Sequence, residues 1–178
     1  MEMAPGDGVS EMDQKVFALH NQIRADPKSV IPDLEKMLEQ FEGNLLRRPG
    51  QVTLRTKEGQ AAVKEAIEFL KKQQPVEALR WSEDVAKAAK DHFEDIGPKG
   101  LIQHEGSDGK TTVKERITKY GRVISCYGES LSFHTDSAIE VLMQLLIDDG
   151  VANRGHRENI FNSSFKVLGC FSGDHKDF

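Results

Sequence analysis

Apolar side chains recur at helical spacing along most of the chain, in segments separated by glycine and proline. The spacing predicts six helices: one from Ser10, then about 29–41, about 57–73, one from Ser82, about 112–119 and about 135–148. Ser10 and Ser82 each carry a hydroxyl that can accept a hydrogen bond from the first turn of the following helix, so both are predicted N-caps. A loop is predicted at 42–56, where glycine and proline interrupt the pattern.

Two segments have the composition of strands rather than helices. Residues 121–133 and 165–173 are rich in β-forming side chains, with polar residues interleaved in the first, and are predicted strands. Helices flanking a few strands indicate an α+β layered domain. The first nine residues, rich in glycine, proline and acid, are predicted to be a disordered leader, and residues 10–178 a single domain.

Charge and composition exclude some classes of partner. The net charge is −5 and no dense basic face appears, which argues against nucleic acid as the main partner. No run approaches the roughly 18 apolar residues that a membrane-spanning helix requires, so no transmembrane segment is expected. No signal peptide is visible at the N-terminus, and the compartment stays open. The two cysteines, Cys126 and Cys170, lie on the two predicted strands, either as one bridge or as two buried thiols.

Four residues with metal-ligand or acid–base chemistry lie in loops or at the ends of elements: His104, Glu115, Glu129 and His156. Taken singly, each has a simpler interpretation, as a solvated loop residue, a surface ion pair or a helix cap. Glu129 lies within an otherwise β-like apolar stretch, and because a buried carboxylate is costly without a partner, we predict that it has one. Together the four residues can hold a divalent metal or perform acid–base catalysis without one.

Familiar catalytic motifs are not found in the sequence. It contains no HExxH, no GxSxG and no Walker loop. Asp148 and Asp149 stand together but lack the DxDxDG series of a calcium loop, which argues against calcium.

Six short motifs follow one another along the chain: LHNQIRADP, LRWSEDVAKAAKDH, HEGSDG, YGESL, DDGVANRGHRENIF and VLGCFSG. Through them, the region from about Val16 to Phe171 resembles the CAP superfamily, which comprises cysteine-rich secretory proteins, insect venom antigen 5 proteins and plant pathogenesis-related proteins. The chain is particularly similar to the variant with DDG…RGHR, common among bacterial and protist members. The resemblance is specific, because several separate motifs occur in the family's order.

The resemblance implies an α+β fold of three layers, an α-β-α sandwich, with a central cleft lined by two histidines and two glutamates. His104 and His156 match the family's first and last histidines. Glu115 matches the first glutamate, and Glu129 matches the glutamate of the G-E-N box. Arg154 and Arg157, on either side of His156, then become predicted rim charges.

The chain departs from the family pattern in three places. Residues 28–78 are predicted to be a family-atypical helical insertion. Ser130 replaces the asparagine of the G-E-N box. The family's last strand is expected after Phe178, so the sheet is predicted to be truncated.

The function that the resemblance implies is binding. We expect an SCP-like domain that binds a hydrophobic ligand, a sterol or lipid, or a protein partner, and that holds zinc or another divalent metal through His104 and His156, without an organic cofactor. A metal-dependent hydrolase or peptidase built on His104 and His156, with Glu115 and Glu129 as catalytic candidates, is one alternative. A structural or assembly protein with a relic cleft is the other. The family resemblance implies an extracellular protein, and the oligomeric state is left open.

Overall fold

The computed structural model describes residues 4–6 and 8–177, so the leader predicted at residues 1–9 lies partly outside the described residues. The α-helices of the described part are α1 (Glu11–Ala25), α2 (Ile31–Leu38), α3 (Gln60–Lys72), α4 (Glu83–Ile96), α5 (Val113–Thr118), α6 (Ala138–Ile147) and α7 (Gly155–Phe161). Its strands are β1 (Phe41–Glu42), β2 (Leu45–Leu46), β3 (Leu54–Arg55), β4 (Arg80–Trp81) and β5 (Val167–Leu168). No helix within these described ranges is long and apolar enough to cross a membrane.

Serine hydroxyls begin the two longest helices, as the sequence predicts. The Asp13 amide donates to Ser10 Oγ at 3.0 Å, and the Val85 amide donates to Ser82 Oγ at 3.3 Å. Each bond satisfies one of the amides that have no partner within the helix, which fixes where α1 and α4 begin.

The hydrophobic core lies where α1, α3 and α6 meet. Its fully buried members include Ile23 of α1, Leu70 of α3 and Leu142 of α6. Arg24 is buried in the same region, where its guanidinium donates to backbone carbonyls, including Glu77 O at 2.8 Å and Asn162 O at 3.1 Å. The core therefore joins the first helix to residues near the C-terminal end of the chain.

The described strands form two small sheets. β1, β2 and β3 make an antiparallel sheet that begins at Phe41, the last residue of the predicted helix 29–41, and otherwise lies in the stretch predicted to be a loop; Phe41 is opposite Leu46. The second sheet pairs β4 with β5 in parallel, so that Trp81 lies opposite Leu168. The loop prediction for 42–56 was therefore too simple, because its apolar side chains pair locally.

The strand predictions in the C-terminal half are largely wrong. Residues 121–133 form no strand in the structure, and in 165–173 only β5 is a strand. Strand propensity is realised only when a neighbouring strand pairs with the segment, and the 121–133 segment has none in the described chain. The α+β class is confirmed. The three-layer sandwich and the truncated last strand remain predictions.

Candidate functional site

Glu129 has the partners that its sequence context predicts. Its Oε1 lies 2.8 Å from Nδ1 of His104, and its Oε2 accepts from Nη2 of Arg116 at 2.6 Å. Arg116 is buried and also donates from Nη1 to the backbone oxygen of His104 at 3.0 Å. One guanidinium therefore fixes both the carboxylate and the loop that carries the histidine. Arg116 is not among the site residues predicted from the sequence, although it lies next to Glu115, which is.

The position of Arg116 follows from how α5 begins. The Thr112 amide donates to Glu115 Oε2 at 2.8 Å, and the Glu115 amide donates to Thr112 Oγ1 at 3.3 Å, which makes a reciprocal capping box. The bond from the Thr112 amide is the main reason that the pKa of Glu115 lies below its usual value. The structure thus places Glu115 at the helix cap, while His104 and Glu129 contact each other.

His156 lies in the first turn of α7 and faces Asp148. Its Nδ1 is 2.7 Å from Asp148 Oδ1, and its backbone amide donates to Asp148 Oδ2 at 2.9 Å. Asp148 is 3% exposed and ends α6 in the left-handed conformation, at φ 54°. From the sequence, this aspartate was weighed only as a calcium ligand, and the missing DxDxDG series argued against that role. The motif DDG-x-x-x-RGH, which places it eight residues before the histidine, is the signal that could have identified it.

The two arginines beside His156 are held by α3 and by the residues just before it. Arg157 donates from Nη1 and Nη2 to the two oxygens of Glu65, each at 2.7 Å. Arg154 makes the same two-bond contact with Glu58, at 2.7 and 2.8 Å, and this contact lowers the pKa of Glu58 to about 2. Arg157 is 2% exposed, so the prediction that it is a rim charge is wrong. It was wrong because its partner comes from a distant part of the chain.

The rings of His104 and His156 lie side by side. Their centres are 6.5 Å apart and their planes meet at 33°. Each Nδ1 faces a carboxylate oxygen, which can only accept, so in the neutral ring Nδ1 carries the proton and Nε2 carries the lone pair. An imidazole oriented in this way by a carboxylate is typical of metal-ligating histidines.

Within the described chain, no three histidine, cysteine, aspartate or glutamate residues are grouped so that they could share an ion. Of the predicted ligands, His104 and His156 lie ring to ring, with Glu129 and Asp148 at their Nδ1 atoms, and metal binding by them remains a prediction.

A third histidine supports the loop behind His104. His92 of α4 is buried, and its Nε2 lies 3.0 Å from the backbone oxygen of Gln103 and 3.9 Å from Glu129 Oε1. Burial lowers the pKa of His92, which favours the neutral ring. As the helix pattern predicts, this histidine belongs to the buried side of α4, where it holds Gln103 in place.

A cleft of about 900 Å³ opens on the other side of Glu129. It lies between α1, α4 and the segments 121–136 and 164–175, and Glu129 and Arg116 are part of its wall. The histidine pair lies outside the cleft lining. Many of the lining residues are apolar; they include Val16, Val85, Phe93, Ile96, Leu145 and Phe171. Glu129 therefore separates an apolar cleft from a histidine pair.

The two cysteines are both free thiols, so of the two alternatives the bridge is not formed, and because Cys126 is exposed they are not two buried thiols either. Cys126 is exposed on the segment that was predicted to be a strand. Cys170 is half-buried, with its Sγ 3.6 Å from the backbone oxygen of Asp13, and burial raises the pKa of its thiol strongly. The pairing rested on two neighbouring strands, and the first of these does not form.

An α+β domain with carboxylate-oriented histidines beside an apolar cleft fits a binding domain. The family model of the cysteine-rich secretory protein family, CAP, matches residues 17–178, and the chain belongs to that family. The resemblance carried by the six motifs is thereby confirmed. Comparisons with curated proteins and with solved structures give no match.

Proposed function

We propose that this CAP-family chain is an SCP-type binding domain that takes up an apolar ligand in the cleft beside Glu129. The observation that carries the proposal is the cleft itself. Its volume of about 900 Å³ falls in the upper part of the range of roughly 300–1,000 Å³ typical of ligand pockets. Apolar side chains of α1 and α4 supply much of its wall. Sterols and lipids are the small molecules that the family resemblance implies, and a protein partner is the other candidate.

A matched pair of substitutions tests ligand uptake. Ala89 lies on α4 in the cleft wall, so Ala89→Trp would fill part of the cleft. Ala61 is exposed on α3, and Ala61→Trp adds the same side chain away from the cleft. We expect saturable uptake of a fluorescent sterol or fatty acid by the wild type and by Ala61→Trp, and an affinity at least about tenfold lower for Ala89→Trp. Absence of saturable uptake by the folded wild type would remove the lipid proposal.

A divalent metal, zinc first, is the second ligand that we propose, held by His104 and His156. The support is that both rings are oriented through Nδ1, which leaves two Nε2 lone pairs available. Zinc bound there would supply a positive charge and Lewis acidity beside the cleft. Calorimetric titration of zinc should show binding by the wild type and by the control His134→Ala, and its loss in His104→Ala/His156→Ala. Equal affinity of the double variant and the wild type would contradict the proposal.

The hydrolase and the assembly role remain predictions from the sequence. An enzyme would have to use the same histidine pair, so the zinc titration is also the first step in testing the hydrolase.

A further inference from the structure

The loop 148–154, which joins α6 to α7, has a backbone that its own residue types do not favour. Asp148 and Arg154, at its two ends, are both left-handed, with φ of 54° and 50°. This conformation is costly for residues other than glycine and persists where surrounding contacts fix it. His156 follows the loop in the first turn of α7, and both its ring and its amide contact Asp148. The contacts that fix the loop therefore also bear on the orientation of the imidazole.

The loop and the predicted insertion each bind the backbone of the other through a carboxylate. Glu58 Oε1 accepts from the Gly150 amide at 2.7 Å, and the two oxygens of Glu58 bind the Arg154 guanidinium. In the other direction, the Asp149 carboxylate accepts from the amides of Lys57 and Glu58 at 2.6 and 2.8 Å. The placement of the loop is thus tied to the residues just before α3.

Gly150 allows the two segments to come this close. Its φ is +77°, and a Cβ at this position would be 2.2 Å from Cδ of Lys57. A glycine is therefore suited both to the backbone conformation and to the contact with Lys57.

The contacts of Glu58 continue through Arg154 to the aspartate that holds His156. Arg154 Nη1 donates to Glu58 Oε1 and also to the backbone oxygen of Asp148, each at 2.7 Å. The Glu58 side chain is 36% exposed, and an exposed ion pair contributes little to overall stability. Its bonds converge on one loop, however, so their main consequence is local and concerns where the Asp148 carboxylate lies.

We propose that Glu58 is a positioning residue for His156. Through Gly150 and Arg154 it holds the loop 148–154 so that Asp148 meets Nδ1 of the ring, which leaves Nε2 for a ligand. The inference rests on the proposed function in that zinc is the ligand proposed at Nε2. It goes further by making the predicted insertion, residues 28–78, part of what orients the candidate site.

Glu58→Ala removes the bonds to Gly150 and Arg154, and Glu68→Ala is the matched control. Glu68 also lies in the insertion, on α3, but pairs at 2.7 Å with Lys71 of its own helix. The tautomer of His156 is read from long-range proton–nitrogen NMR correlations at about pH 8, where an ordinary histidine is neutral. Hydrogen exchange of the His156 amide is measured in the same samples, and zinc affinity by calorimetry.

We expect wild type and Glu68→Ala to keep the proton of His156 on Nδ1. In Glu58→Ala the ring should shift towards the Nε2–H tautomer, because the bond at Nδ1 sets which nitrogen is protonated. Exchange of the His156 amide should become at least about tenfold faster, while exchange at Ile23 in the core of α1 stays unchanged. Zinc affinity should fall by about tenfold. Glu58→Gln, which keeps an oxygen for the Gly150 amide, should show smaller changes in the same direction.

The same tautomer and exchange rates in Glu58→Ala and Glu68→Ala would overturn the proposal. Equal acceleration at His156 and Ile23 in both Glu58 variants would do the same, because Glu58 would then support the whole fold rather than the loop. If wild type binds zinc and Glu58→Ala binds it equally well, the zinc site stands and the positioning role is overturned. If the ring and amide respond as expected but wild type binds no zinc, the positioning role is supported and the zinc proposal is removed.

Discussion

The two histidines of the pair have the same carboxylate contact but very different support. On the His156 side, Asp148 and Arg157 are both buried, and Arg157 is fixed by Glu65. On the His104 side, the ring is about half exposed, and its partner Glu129 belongs to a segment with few backbone bonds. The comparison shows that one half of the site is built on a packed framework and the other on a wall of the cleft. A ligand in the cleft would therefore act on His104 rather than on His156.

The predicted insertion supplies the ion pairs that hold the His156 side in place. Residues 28–78 contain Glu58 and Glu65, which bind Arg154 and Arg157 on either side of the histidine. Asp149 adds to this contact by accepting from the amides of Lys57 and Glu58 at 2.6 and 2.8 Å. The segment is therefore a support of the candidate site as well as a flank of the core.

The largest expected effect is on the free energy of unfolding, when the arginine that supports the His156 side is removed. Arg157→Ala removes the donor to the buried carbonyl of Leu146 and both short bonds to Glu65, which then keeps its 3.3 Å contact with Nε of Arg154. We expect the free energy of unfolding to fall by about 2–4 kcal/mol, measured by urea denaturation. Arg122→Ala, on the exposed segment, is the control and should change it by no more than about 0.5 kcal/mol. Similar losses for both variants would show that the two halves do not differ in this way.

The next effect is on the metal rather than on folding. Asp148→Asn keeps a residue type that tolerates the left-handed backbone but puts an amide NH₂ group within reach of Nδ1 of His156. That donor favours the tautomer with its proton on Nε2, which removes the lone pair that a metal needs. We expect zinc affinity to fall by about 10–100-fold in calorimetry, as for other orienting partners of metal-binding histidines. Unchanged affinity would mean that Asp148 does not orient the ring.

A smaller effect is expected in the pH dependence of stability. The Arg154 contact lowers the pKa of Glu58 from 4.5 to about 2, so the ionised form is favoured in the folded protein. The stabilisation is present above about pH 4.5 and is lost as the pH falls towards 2. The difference in urea midpoint between the wild type and Glu58→Gln should therefore be largest near pH 6 and shrink towards pH 2. Glu105→Gln is measured in parallel, because its carboxylate has no arginine partner among the described residues, and a constant difference for Glu58→Gln would contradict the prediction.

The smallest expected effect is on zinc affinity in Glu115→Gln, and it distinguishes whether Glu115 caps a helix or binds the metal. Glutamine can replace glutamate in a capping box, so Glu115→Gln should preserve α5. We expect zinc affinity to change by less than about twofold, because the Glu115 carboxylate is bonded to Thr112. A tenfold loss in the same titration would return Glu115 to the metal site.

Local signals explain what could be predicted from the sequence. The helices after Ser10 and Ser82 were predictable because each serine hydroxyl accepts a hydrogen bond from the backbone amide three residues later, which fixes where the helix starts. α7 was missed because its N-cap residue, Arg154, is in a left-handed conformation and makes no side-chain capping bond. The 121–133 strand failed for the opposite reason. Its residue types favour a strand, but a strand also requires a neighbour, and nothing in its own sequence specifies one.

In the candidate site, too, contacts between residues close in sequence were predictable and contacts between distant residues were not. The partner of Glu129 was expected because a carboxylate in an apolar stretch needs one, and Arg116 lies only 13 residues away. The bonds that Arg157 donates to Glu65 span 92 residues, and no local pattern indicates them. The candidate site residues were thus easier to predict than the residues that hold them in place.

Asn159 connects the helix that carries His156 to Glu129 in the cleft wall. Its side chain donates to the backbone oxygen of Glu129 at 3.2 Å, and it lies on α7 one turn after His156. Glu129 in turn is both the partner of His104 and part of the cleft wall. If occupancy of the cleft displaces Glu129, it changes the affinity of the imidazoles for metal, and thermodynamic reciprocity requires metal to change the affinity of the cleft by the same factor. Zinc would then be an effector of whatever the cleft binds.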